Sequence, residues 1–89
     1  MPVISMFYGI IVSLYFFDNK EHKIPHIHVR YQEEEVVLAI PEGNVLAGKL
    51  NPAKLKLVQA WIEIHKEDLM ADWALAVNGH EVFKIEPLK

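Results

Sequence analysis

The stretch HIHVRY, residues 26–31, decides the fold of this chain because its polar and apolar side chains alternate without a break. Successive side chains of a β-strand point to opposite faces of a sheet, so the pattern predicts a half-buried strand. The apolar set should face a core and the polar set should face away from it. The two sets are Ile27, Val29 and Tyr31, and His26, His28 and Arg30.

Three further strands are predicted on either side of this segment. Each is rich in β-branched or aromatic residues, and turn-forming groups such as Asp18-Asn19 and Pro41-Glu42-Gly43 separate them. A short alternation around Phe83 and Ile85 predicts a last strand that could close a sheet edge. The three strands span residues 10–17, 35–40 and 45 to about 50.

A long helix is predicted after Asn51, since Asn51-Pro52 supplies an N-cap followed by proline at the first helical position. Apolar residues then recur at three- and four-residue steps as far as Asn78-Gly79, a typical C-terminal stop. A helix of that length exceeds the strands it must cover, so a bend is expected between His65 and Asp68. The stripe comprises Leu55, Val58, Ile62, His65, Leu69, Trp73 and Ala76.

Together these elements predict an α+β fold in a single domain over residues 1–89. An antiparallel sheet of about four strands would carry the long, bent helix on one face, with the short C-terminal strand at an edge. Parity then assigns the uncovered face. It should carry Ser13, Tyr15, Phe17, His26, His28, Arg30, Glu35, Val37 and Ala39.

Composition excludes several classes of function. The net charge of −3 disfavours direct nucleic-acid binding, which depends on many Lys and Arg side chains. The absence of cysteine excludes thiolate chemistry and sulfur-ligated zinc. The uncharged N-terminus is too short and too interrupted to span a membrane, which favours a cytoplasmic protein. An apolar content of 52% in 89 residues favours self-association or a protein partner.

The polar face around His26 and His28 has three candidate functions, and the alternative is a solvated surface without a function. A protein-binding surface formed by Tyr15, His26, His28 and Arg30 is the leading hypothesis, because interfaces favour such residues. A ribonuclease-like site could use the two histidines as acid and base, with Arg30 stabilising phosphate charge. The face could instead be solvated and without a role, so whether the chain is an enzyme stays open.

The third candidate function is a metal site. His26 and His28 could bind zinc with His22, or else Asp18 or Glu21, as a third ligand, although two histidines on a strand are a common pattern. No other cofactor is expected. Elsewhere, His65 is expected to be a hydrogen-bonded core residue, Trp61 and Trp73 to fill core or partner-contact volume, and His80 to face solvent. Phosphate-binding loops and nucleophile elbows are absent from the sequence.

Four segments, MPVISMFYGIIV, DNKEHKIPHIHVRY, LVQAWIEIHKEDLMADWALAVNG and FKIEPL, resemble the bacterial family called domain of unknown function 4160. The family's Pro-His-x-His segment falls on residues 25–28, and its helical Trp and His fall on Trp61 and His65. Many relatives have a proline where this chain has Ile24. The resemblance implies a small protein encoded beside another small protein, in a toxin-antitoxin-like arrangement. The partner would be that second protein or another copy of the chain, as in a homodimer. The resemblance carries over no catalytic residue to this chain.

Overall fold

The computed structural model describes residues 2–15 and 24–89. It contains five antiparallel strands followed by one helix, which confirms the predicted α+β class. The strands follow one another across the sheet in the order of the sequence, so the sheet is a simple meander. The elements are β1 (Val3–Phe7), β2 (Ile10–Ser13), β3 (His26–Tyr31), β4 (Glu34–Ala39), β5 (Val45–Lys49) and α1 (Pro52–Val77).

The sheet has one strand more than the predicted number of about four. The extra strand is β1, which pairs with β2 through a two-residue turn at Tyr8 and Gly9. Both turn residues have positive φ, 52° and 79°, as a tight hairpin turn with the twist of the sheet requires. Tyrosine rarely adopts this conformation, so the sequence contains no clear turn signal there. The end of the predicted first strand, including Phe17, lies outside the described residues.

Gly48 fixes the way β5 joins the sheet. The register between β4 and β5 shifts between Val37 and Leu38, and Gly48 pairs with Val36 just before this shift, with φ at +77°. A β-carbon at Gly48 would overlap the backbone carbonyl oxygen of Glu35. Only glycine therefore allows the close approach of these two backbones.

The helix begins and ends as predicted. The side chain of Asn51 accepts hydrogen bonds from the backbone N–H groups of Ala53 (2.9 Å) and Lys54 (3.2 Å). The helix ends at Val77, with Asn78 as its C-cap. His65 has non-helical angles (φ −112°, ψ 21°), which confirms the expected bend.

The helix packs on one face of the sheet, called here the inner face, and the hydrophobic core lies between them. The core contains the inner-face residues of every strand except β5, together with helical residues and Ile85 of the C-terminal tail. The fully or nearly fully buried members of this core include Ile4, Ile10, Val12, Ile27, Val29, Val36, Leu38, Val58, Trp61, Ile62 and Leu69.

No helix in the described ranges is long and apolar enough to cross a membrane.

The C-terminal tail, residues 80–89, forms no strand, so the prediction of a last strand around Phe83 and Ile85 is wrong. It does lie at the edge of the sheet, where the backbone N–H of Ile85 donates to the carbonyl of Ile4 (2.8 Å). The tail runs back along the helix, because Trp61 Nε1 donates to the Glu86 carbonyl (2.8 Å). One backbone hydrogen bond to β1 therefore positions the tail, but it does not form the repeated hydrogen bonds of a paired strand.

Candidate functional site

The face of the sheet opposite the helix, called here the outer face, carries two complete rows of side chains that cross all five strands. The strand register defines these rows, since residues paired across antiparallel strands share a face. The first row is Met6, Ile11, Arg30, Glu35 and Lys49, and the second is Val3, Ser13, His28, Val37 and Ala47.

The first row is open to solvent and changes character from one end to the other. Met6 is 62% exposed and Ile11 is 36% exposed, which leaves apolar surface at the β1 end. Across β3 to β5, the register then places Arg30 opposite Glu35 and Glu35 opposite Lys49. This end alternates positive, negative and positive charge, so a partner would meet apolar contact and charge on the same row.

The second row contains a half-buried histidine held against an aromatic ring. His28 stacks on Tyr15, with ring centroids 4.2 Å apart and ring planes inclined by 7°. This contact brings together two of the residues that were predicted to form the site. Stacking fixes the plane of the imidazole without using its nitrogen atoms.

His26 pairs with Ala39 on the same side of the backbone, but it is completely buried. Its ring lies 5.2 Å from the ring of His28 and 4.9 Å from that of Trp73, which belongs to the helix after its bend. The expectation that His26 is open to an external partner is therefore wrong. Alternation along β3 determines where the side chain leaves the backbone, but the helix supplies what covers it.

The ring of His26 is also fixed by a hydrogen bond. Its Nδ1 lies 2.7 Å from the backbone carbonyl oxygen of Ile24. A carbonyl can only accept, so Nδ1 carries the proton and donates. In the neutral imidazole Nε2 is then the unprotonated nitrogen. This contact orients His26 as a structural link between β3, the preceding chain and the helix.

A shallow depression of about 210 Å³ lies on the outer face between the two rows. Its polar lining consists of one hydroxyl, one imidazole, one guanidinium and one carboxylate, and Val3 and Ile11 supply part of its apolar lining. Arg30 and Glu35 are exposed here, whereas Ser13 is only 7% exposed. The depression could therefore receive a side chain that combines polar and apolar groups. Its polar residues are Ser13, His28, Arg30 and Glu35.

Comparison with known families assigns the chain. A family model described as Domain of unknown function (DUF4160) matches residues 9–74. The chain belongs to this family. The match covers β2 to β5 and most of the helix, and therefore includes His28, Arg30 and Glu35 of the depression. No curated protein and no solved structure matches the chain.

The DUF4160 chain does not assemble the zinc ligands within its described residues. His22, the third ligand in that hypothesis, lies outside residues 2–15 and 24–89, so the complete set has no described geometry. Across those two ranges, no group of three or more His, Cys, Asp or Glu residues is placed to hold a metal ion.

The other residues singled out from the sequence lie at the helix. Trp61 is fully buried, and His65 is near it with ring centroids 5.6 Å apart. The His65 side chain is only 17% exposed, and its Nδ1 is 3.9 Å from the Oδ2 atom of Asp68. His80 is exposed, as expected.

Two features of the site region were missed from the sequence. The β1 residues Val3 and Met6 extend the outer face because β1 was not predicted as a separate strand. The second is Asp72, a carboxylate on the buried side of the helix. Its spacing was a usable signal, since Asp72 stands between Leu69 and Ala76 at steps of three and four residues.

Proposed function

We propose that this DUF4160 chain is a small cytoplasmic protein-binding module that docks a protein partner on its outer sheet face. The chain would act as one component of a toxin-antitoxin-like pair. The observation that carries the proposal is the unequal cover of the sheet: the helix buries the inner face, whereas the outer face presents exposed apolar and charged side chains in ordered rows.

The apolar part of the outer face would supply the contact area. Val3 is 38% exposed, Met6 62% and Ile11 36%, and the register places Met6 beside Ile11. Neighbouring exposed apolar side chains on a small protein are typical of an interaction surface. Methionine in particular is enriched in interfaces and adapts to the shape of its partner.

The charged part would supply selectivity. Arg30, Glu35 and Lys49 stand side by side across three strands, so a partner must present an alternating complement to them. Arg30 and Glu35 also line the depression beside His28, where one side chain of the partner would insert. Arginine is enriched among the interface residues that contribute most to binding energy.

A second small protein encoded next to this one would be the partner. The toxin-antitoxin-like gene arrangement that the family resemblance implies would supply it. Such a partner would cover the outer face and offset the high apolar content of the chain, which is 52% of its residues. A second copy of the chain is the other occupant to be tested.

The test measures molecular mass by light scattering for the chain alone and mixed with the neighbouring gene product. Met6→Glu places a charge on the outer face, and Ile64→Glu is its matched control because Ile64 is 64% exposed on the helix. We expect a complex with the wild-type chain and with Ile64→Glu, and none with Met6→Glu. A mass increase without the neighbour would identify a self-associating module. Monomeric behaviour in both samples would contradict the proposal.

A histidine-dependent ribonuclease is the second candidate, because His28, Arg30 and Glu35 line one depression. An imidazole and a carboxylate could transfer protons while the guanidinium stabilises phosphate charge. This candidate expects expression of the chain to arrest growth, and expects His28→Ala to relieve the arrest while Ile64→Glu does not. Harmless expression of the intact chain would remove it.

A further inference from the structure

A second cavity lies away from the outer face, between the later half of the helix and the C-terminal tail. This groove has a volume of about 620 Å³, which is within the range of small-molecule sites. None of its lining residues belongs to the two outer-face rows. The lining residues that matter here are Asp68, Asp72, Leu75, Phe83, Lys84 and Glu86.

Asp72 is the unusual residue of the groove. It is only 2% exposed, and its Oδ1 accepts a hydrogen bond from the backbone N–H of Phe83 (2.9 Å). Its Oδ2 is also buried, but it has no hydrogen-bond partner among the described residues. Buried carboxylate oxygens are normally paired, because an unpaired one loses its contacts with water without replacing them.

Burial raises the pKa of Asp72 above its ordinary value. The Phe83 N–H acts in the opposite direction, and the nearby charge of Asp68 raises the pKa further. An asparagine would accept the same hydrogen bond from Phe83 without the cost of burying a charge. The hydrogen bond to the tail therefore accounts for an oxygen acceptor at the Oδ1 position. It does not account for a carboxylate at residue 72, since an asparagine could accept the same bond.

We propose that the groove binds a small organic cation, an alkyl ammonium or alkyl guanidinium group, with its N–H donating to Oδ2 of Asp72. The apolar stem of such a ligand would lie against Leu75 and Phe83, and Phe83 is 72% exposed beside the groove. Asp68 and Glu86 add negative charge to the lining, where Lys84 is the one basic residue.

The lining distinguishes this ligand from a metal ion. A metal site needs several oxygen or nitrogen ligands around one point, and the described residues contain no such group of three. A cation with an apolar stem needs only one well-placed carboxylate and apolar walls. A charge-assisted hydrogen bond is stronger than a neutral one, so Asp72 should dominate the affinity.

The experiment titrates the full chain with n-butylguanidinium and n-butylammonium while amide signals are followed by NMR. Uncharged n-butylurea is the control for the stem alone. We expect saturable shifts at Asp72 and Phe83 for both cations, with dissociation constants on the order of millimolar for ligands this small, and none for n-butylurea. Absence of saturable shifts, or equal shifts with n-butylurea, would overturn the proposal.

Two variants locate the site. Asp72→Asn should weaken cation binding by about tenfold or more, because it removes the charge while keeping the acceptor for Phe83. Ala74→Leu should fill the groove from an exposed helical position, with Ala60→Leu as its matched control at another exposed position. Unchanged binding in both Asp72→Asn and Ala74→Leu would overturn the assignment. Because the groove and the outer face share no residue of the two rows, either proposal can fail without the other.

Discussion

The two faces of the sheet are built from the same strands by the same alternation, yet they differ in how far they are buried. On the inner face, Val29, Val36 and Leu38 are at most 1% exposed beneath the helix. On the outer face, the residues between them include an exposed arginine and glutamate in register with each other. Alternation therefore sorts the side chains into two sets, and the position of the helix decides which set becomes the core.

The outer face also differs along the direction of its strands. Along β3, Arg30 is exposed, His28 is half-buried, and His26 is completely buried against Trp73. Exposure therefore falls along β3 within one face, and not only at the boundary between the two faces. A single face therefore combines exposed side chains with a structural contact.

The largest expected effect tests the contrast between the two faces at adjacent positions of β4. Leu38→Ala should lower the free energy of unfolding by about 2–5 kcal/mol, because it leaves a cavity in the core. Val37→Ala, on the half-buried outer face, should cost less than about 1 kcal/mol. Urea unfolding followed by circular dichroism measures both. Equal losses would mean that the two faces are buried alike.

The next effect tests the gradient along β3. His26→Ala should lower the free energy of unfolding by about 2–3 kcal/mol, because it removes the contact with Trp73 and the hydrogen bond to Ile24. Compared with His26→Ala, His28→Ala should lower the free energy of unfolding less and should weaken partner binding more. Urea unfolding and light scattering separate the two outcomes, and a binding loss confined to the His26 variant would reverse the assignment.

A third test concerns the covered side of the helix, where Asp72 is buried. Its folded-state pKa is raised above 3.8, so the folded chain holds this proton more tightly than the unfolded chain. The resulting stabilisation is complete below the unfolded pKa and is lost as the pH rises through the folded pKa. Relative to Asp72→Asn, the wild-type chain should therefore lose stability as the pH rises from below 3.8 through the raised folded-state pKa. Unfolding measured across that range would contradict this if the difference stayed constant.

The smallest effect on stability is expected in the open row. Arg30→Glu should leave the unfolding midpoint nearly unchanged, since exposed charge pairs contribute little to folding. It should nevertheless prevent the partner complex, because it places two acids side by side opposite Lys49. Restored binding in Arg30→Glu combined with Glu35→Arg would show that the order of charges is not read.

Much of this arrangement could be predicted from the sequence. The alternation in residues 26–31, the Asn51 cap and the bend at His65 are local signals, and the structure follows each of them. The cover over His26 could not be predicted, because it depends on a helix residue 47 positions away that reaches the sheet only after folding. The tight turn at Tyr8 and Gly9 could not be predicted either, because tyrosine rarely adopts a positive φ and is not among the usual residues of such turns.

The tail gives the sheet two unlike edges. The tail reaches β1 through the bond between Ile85 and Ile4, whereas β5 has no strand beyond it in the described part of the chain. Open-ended fibres grow when every molecule offers two free edges for strand addition. Because the tail bonds to β1, strand addition at that edge would have to displace the tail, whereas addition at β5 would not.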